Sequence, residues 1–140
     1  MIPVLVLTHG DLASELLQAA ETIDPSLRGQ AFAMSLPWDV DSDEASRSLK
    51  KQLRELDEGE GTLVLTDMFG GTATNLALAF LEPEKVEIVT GVNLPMLVKL
   101  GSLRGMVLSL EELANGLTAA GQKSIRVASE FLHARATNSG

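Results

Sequence analysis

Short, nearly unbroken apolar runs alternate along the chain with stretches whose apolar residues recur every three or four positions. Residues 2–8 are almost all apolar, and the run is too short for a core helix, so it reads as a strand buried on both faces. From Asp11 onward Leu12, Leu16, Ala19, Ala20 and Ile23 recur at helical spacing, up to a break at Asp24-Pro25. AFAMSL (31–36) predicts a second strand, closed by Pro37. Asp41, Ser42 and Asp43 are candidate caps for a helix carrying Ala45, Leu49, Leu53 and Leu56 on one face, ended by Gly59 and Gly61. TLVLTD (62–67) is the third strand, and a third helix runs from Thr72 to Leu81 and stops before Pro83. VEIVT (86–90) is a fourth strand. After Gly91-Val92-Asn93 a short helix opens at Pro95, a position proline tolerates in a first turn. A further helix fills 110–120, ended by Gly121. KSIRVAS (123–129) alternates polar and apolar residues, as a half-exposed edge strand does.

Strands alternating with helices predict an α/β fold: an open, mainly parallel, doubly wound sheet with right-handed crossovers. The last strand differs in being amphipathic and in following two helices, which suits an antiparallel edge position or a crossing to another subunit. One domain is expected over 1–130, with a flexible C-terminal tail over 131–140. At 140 residues the chain is long enough to bury a continuous core.

Composition narrows the function. The 11 basic and 19 acidic residues leave a net charge of −8, which argues against nucleic acid or an anionic membrane and fits a partner with a basic docking face. The chain has no cysteine, so disulfides and thiolate chemistry are excluded. No apolar stretch approaches the roughly 20 residues of a membrane helix, so direct membrane insertion is not expected. The opening MIPVLVLTHGD reads as a first strand rather than a signal peptide, and a cytoplasmic protein is expected.

The candidate chemistry lies at two strand-to-helix turns. VLVLTHGDLASELL releases His9 and Gly10 from the end of the first strand, and TLVLTDMFGGTATNLALAF releases Asp67 and opens into Gly70-Gly71-Thr72. The carboxyl rim of an open parallel sheet is where ligands bind, at the point where strand order reverses. Neutral imidazole is a good nucleophile toward phosphorus, and its ordinary pKa of roughly 6.5 keeps that form available near neutrality. A carboxylate accepting the proton of the other ring nitrogen fixes the tautomer, orients the ring and offsets the charge that forms on it. Asp67 has the chemistry for this. Gly10, Gly70 and Gly71 would let backbone approach phosphoryl oxygens, and the helix start with the Thr72 hydroxyl adds donors. Thr8, Phe69 and Asn93 are candidates to complete the pocket. A histidine after a strand also occurs as a structural residue, an aspartate at a strand end as a helix cap, and Gly-Gly as a packing device. His133 sits in the expected tail and is a poor candidate. Trp38 reads as a rim residue or part of a docking face. Neither a P-loop, a dinucleotide fingerprint, an HExxH zinc motif nor a GxSxG elbow is present, and no metal or cofactor is expected.

VLTHGDLASELLQAAE, LVLTDMFGGTATNLA and VTGVNLPML together resemble the signature segments of the enzyme IIA domain, mannose family, of the bacterial phosphoenolpyruvate-dependent sugar phosphotransferase system, over roughly 2–130. The resemblance implies a mainly parallel sheet of order 2-1-3-4 and a homodimer in which the last strand pairs with the partner's sheet. It implies that His9 accepts a phosphoryl group from the phosphocarrier protein HPr and passes it to a histidine of an enzyme IIB component on a separate chain, for mannose-type sugar uptake. It also implies that Asp67 hydrogen-bonds the ring, that Gly71 and Thr72 face the phosphoryl group, and that GVNLPM forms a neighbouring loop. Phe69 matches the family's aromatic before Gly-Gly, while Thr72-Ala73 departs from its Ser-Pro. Two alternatives stand beside transport: a regulatory phosphoacceptor module, and a phosphotransfer subunit related to that of dihydroxyacetone kinase.

Overall fold

A computed structural model describes residues 1–103 and 105–138. Four strands alternate with helices: β1 (Val4–His9), α1 (Leu12–Ile23), a 3-10 turn (Pro25–Leu27), β2 (Ala31–Leu36), α2 (Ser42–Leu56), β3 (Thr62–Thr66), α3 (Thr72–Leu78), β4 (Val86–Thr90), α4 (Leu94–Ser102), α5 (Leu110–Lys123) and α6 (Ala128–Asn138). The strands form one sheet in the order β2-β1-β3-β4, with every pairing parallel.

The sheet is doubly wound because β1 and β3 are buried along both faces, with apolar residues at 4–7 and 63–65, and successive side chains point to opposite faces. Val4 and Val6 of β1, with Leu63 and Leu65 of β3, pack against Ala13 and Leu17 of α1, Leu97 and Leu100 of α4, and Leu113 and Leu117 of α5. Leu5, Leu7 and Val64 turn to the other face and meet Leu49 and Leu53 of α2 and Ala73 and Ala77 of α3. Burying one such side chain contributes about 1.5–3 kcal/mol. With a helical layer on each face, the ends of the strands are where polar chemistry can reach solvent.

Helix ends follow their capping residues. Asp41 is the cap of α2, its carboxylate accepting the Asp43 N–H at 2.8 Å. Ser109 and Glu112 form a reciprocal capping box on α5. Gly121, expected to end that helix, lies inside it. A Cβ there would stand 2.7 Å from Cγ of Met96, so the glycine lets α5 close onto α4.

Within one chain, residues 123–129 do not form the expected edge strand. Among the described residues there is no antiparallel edge strand: Lys123 closes α5, 124–127 are a connection, and Ala128 opens α6. The Ser124 hydroxyl donates to the Ala120 carbonyl and closes the last turn of α5. Beyond the connection Ala128, Ala134 and Ala136, with Glu130, Leu132 and Arg135, are strong helix formers. The alternation of Ile125 and Val127 is real in sequence, but no neighbouring strand pairs with it. Residues 131–138, expected as a tail, continue α6, and those up to 137 are exposed.

Candidate functional site

In a sheet of order β2-β1-β3-β4, the strand order reverses between β1 and β3, and the carboxyl ends of these two strands define the site. His9 is the last residue of β1 and Asp67 the first beyond β3. Parallel pairing of Leu7 with Thr66 brings them side by side. Asp67 Oδ2 accepts the backbone N–H of His9 at 3.0 Å and lies 2.7 Å from ring Nδ1. Its other oxygen, Oδ1, accepts the Met68 N–H at 2.9 Å.

Burial alone would raise the Asp67 pKa. The N–H groups of His9, backbone and ring, together with that of Met68, outweigh it and hold the carboxyl below its ordinary value. An ionised carboxylate can only accept, so the bond at 2.7 Å places a proton on Nδ1, and in the neutral ring Nε2 is then the nitrogen with the free lone pair. The two side chains are 17% and 11% exposed, sunk into the rim but reachable from it.

Gly71 ends the turn that follows Asp67 and precedes α3. A Cβ there would stand 3.3 Å from His9 Cε1 and 3.1 Å from Met68 Cγ, so glycine lets the backbone run beside the ring. Gly70 and Thr72 are exposed on the same turn. Phe69 is 77% exposed and Met68 59% exposed, flanking the site with apolar surface. Gly10, directly after His9, has φ +53° and lies against the indole of Trp38.

Two expected pocket residues have other duties. Thr8 is fully buried, and its hydroxyl accepts the Ala13 N–H at 2.7 Å, tying the start of α1 to the end of β1. Asn93 caps α4 by accepting the Met96 N–H and donates to the Gly121 carbonyl, holding α4 to α5. His133 lies in α6, on an exposed turn.

Sequence reasoning missed a brace beneath the site. Thr74 on α3 donates its hydroxyl to the Met68 carbonyl at 2.6 Å, and the Thr66 hydroxyl donates to Thr74 Oγ1 at 2.7 Å. Both threonines are fully buried. The pair pins the turn that carries Asp67 to the strand before it and the helix after it. The spacing of a threonine at the end of β3 and another on the inner face of the next helix was the available signal. It also missed the stack of His9 on Trp38, ring centroids 5.0 Å apart and planes 15° from parallel.

A doubly wound parallel sheet that presents a carboxylate-oriented histidine at its topological switch point defines the class of protein. The model of the EIIA-man family, described as the PTS system fructose IIA component, matches residues 3–118. The chain belongs to that family, the IIA components of the mannose and fructose class of the sugar phosphotransferase system. It is 33% identical over 137 residues to the PTS system fructose-specific EIIA component of Bacillus subtilis, covering 94% of this chain and 90% of that protein. It is 29% identical to the PTS system mannose-specific EIIAB component of Escherichia coli across 89% of this chain, which spans only 39% of that longer protein. Among solved structures, the PTS IIA protein associated with the fucose utilization operon from Streptococcus pneumoniae superposes with a TM-score of 0.79 at 33% identity, covering 93% of this chain and 95% of that one. The mannose/sorbose specific IIA subunit from Enterococcus faecalis gives a TM-score of 0.78 at 29% identity over 91% of this chain and 95% of its own. No helix of the described residues is long and apolar enough to cross a membrane.

Proposed function

We propose that this chain is a phosphoryl carrier in which His9 accepts a phosphoryl group from phosphohistidine on HPr and hands it to a histidine of a mannose-family IIB component, serving sugar uptake from the cytoplasmic side. The observation that carries the reading is the bond from His9 Nδ1 to Asp67 at 2.7 Å, at the open rim of the sheet.

The chemistry follows from the proton's location. With Nδ1–H held by the carboxylate, the Nε2 lone pair attacks phosphorus in line. The donor's P–N bond breaks and its electron pair returns to the donor imidazole. His9 then carries the phosphoryl group on Nε2 and a proton on Nδ1, and the positive charge on the ring is offset by the adjacent carboxylate. Transfer to IIB runs the same exchange with His9 as the leaving imidazole. The protein's contribution is position and charge stabilisation.

Both exchanges need a partner protein to bring its histidine against the rim. Exposed Met68 and Phe69, on the turn that follows Asp67, supply the apolar surface such contacts use, and the net charge of −8 favours partners with basic faces. Association with a second copy of the chain belongs to the same reading. Ile125, Val127 and Leu132, 77%, 59% and 62% exposed, form an apolar series at the C-terminal end that a second subunit would cover.

The test is discharge. Protein phosphorylated through phosphoenolpyruvate, enzyme I and HPr is mixed with a folded mannose-family IIB and followed by rapid quench. The label moves to IIB, and added salt slows the step by screening the steering charges. A phosphorylated chain that transfers nothing to such a IIB contradicts the transport reading and favours a regulatory phosphoacceptor.

A further inference from the structure

Trp38 takes no part in the hydrogen-bonded pair, yet its indole lies on the reacting ring. Its placement is a consequence of sheet order. β2 and β3 flank β1, and His9 is in register with Leu36, the last residue of β2. The Gly10 N–H donates to the Leu36 carbonyl at 2.9 Å, and the Val40 N–H donates to the Pro37 carbonyl at 3.2 Å, so a tight turn sets Trp38 over the end of β1. A Cβ on Gly10 would stand 3.2 Å from Trp38 Nε1, at a φ of +53°, so glycine there makes room for the indole. Trp38 is 80% exposed, and packing into the core does not explain it.

We propose that Trp38 is a positioning residue for phosphoryl transfer: it holds the imidazole of His9 by its face while Asp67 holds it by its edge, and its π-face stabilises the charge the ring gains. The proposal rests on the phosphotransfer reading above. The two restraints are complementary. A hydrogen bond from Nδ1 fixes one atom of the ring but permits rotation about the line to Asp67. A stack at 5.0 Å with planes 15° apart removes that rotation and so fixes the direction of the Nε2 lone pair. As the Nε2 lone pair bonds phosphorus and the donor's P–N bond breaks, the proton stays on Nδ1 and the imidazole becomes cationic. A cation against the face of an indole is attracted by the ring quadrupole, and an imidazolium stacked on Trp38 meets that condition.

Two measurements on the full chain test this. Proton NMR of the unphosphorylated protein should show the ring protons of His9 displaced upfield by the indole ring current, and the displacement should vanish in Trp38→Leu. Single-turnover phosphorylation over a range of phospho-HPr concentrations should show the maximal rate of Trp38→Leu reduced roughly threefold to thirtyfold, the rate equivalent of a cation–π contact. The half-saturating donor concentration should stay unchanged, and Trp38→Phe should recover most of the rate. Wild-type protein with no upfield displacement, a Trp38→Leu variant altered only in its half-saturating concentration, or a Trp38→Phe variant as slow as Trp38→Leu overturns the proposal. The first result removes the stack, the second makes Trp38 a docking residue, and the third shows that the aromatic face does not matter. Wild-type protein that shows the displacement but takes up no phosphoryl group overturns the phosphotransfer reading itself, and the spectrum tells the two failures apart.

Discussion

His9 and Asp67 are joined twice through one atom: Oδ2 of the carboxylate accepts both the backbone N–H and the ring Nδ1–H of the histidine, at 3.0 and 2.7 Å. The backbone bond locks the end of β1 against the start of the turn beyond β3, and the ring bond then inherits that rigidity. Oδ1 is engaged by the Met68 N–H at 2.9 Å, so three donors meet two acceptor atoms of a single side chain.

Asp67→Asn keeps the shape but supplies one acceptor oxygen and an NH2 group where three N–H donors converge. Either Met68 or His9 then faces another donor, and the ring loses an anionic partner for its charged form. Phosphorylation by phospho-HPr should slow by ~10²–10⁴-fold, the range for groups that orient or move protons in a transition state. Stopped-quench kinetics on a variant with native circular dichroism measures it. Unchanged kinetics would reduce Asp67 to a structural link.

Stability should carry the mark of the same carboxylate. Burial acts to raise the Asp67 pKa, but the N–H donors outweigh it and hold the carboxyl below its ordinary value. A carboxylate with a depressed folded-state pKa adds stability that is fully present above the unfolded-state value of about 3.9 and is lost as pH falls through the lower folded-state value. The stability gap between wild type and Asp67→Asn should therefore shrink as pH falls below about 4. Urea unfolding of both proteins from about pH 5 downward reads it. A gap that widens in acid would contradict the assignment.

Thr74→Val removes a hydroxyl while keeping the shape of the side chain. It leaves the Met68 carbonyl and the Thr66 hydroxyl without the partners they have at 2.6 and 2.7 Å. Unfolding free energy should fall by about 1–3 kcal/mol, the cost of leaving the buried Thr66 hydroxyl without its partner. The turn bearing Asp67 should also loosen, visible as faster amide exchange at Met68 and slower phosphorylation. Full stability and full rate together would show that the brace is dispensable.

The sheet and its central pair were legible because the Val-Leu runs of β1 and β3 end abruptly at Thr8-His9 and Thr66-Asp67. The parallel sheet of order β2-β1-β3-β4 that the resemblance implied is present. Within one chain KSIRVAS is not a strand, because alternation at Ile125 and Val127 records only where apolar residues fall, whereas a strand also needs a neighbour to pair with. Thr8 and Asn93 looked like rim groups by position, but each spends its side chain on holding a helix start. Trp38 was placed at a rim, but its stacking partner depends on β2 lying beside β1, which spacing along the chain does not encode. Gly121 read as a helix stop because glycine often is one. Its role is set by Met96, distant in sequence.

Self-association should depend on the exposed apolar residues near the C-terminal end. Sedimentation velocity is expected to find a dimer, and Ile125→Asp combined with Leu132→Asp to shift it to monomer without loss of helix content. A wild-type monomer, or a double variant that still dimerises fully, removes this part of the account.

The central claim is that His9 takes the phosphoryl group on Nε2 because Nδ1 is committed to Asp67. Phosphorylating the chain with phosphoenolpyruvate, enzyme I and HPr, mapping the acid-labile group by mass spectrometry, and assigning the bonded nitrogen by ¹⁵N–³¹P correlation tests it most directly. The account predicts one labelled residue, His9, phosphorylated at Nε2, with no uptake in His9→Ala. Label on His133, undiminished uptake in His9→Ala, or a phosphoryl group on Nδ1 of His9 would contradict it.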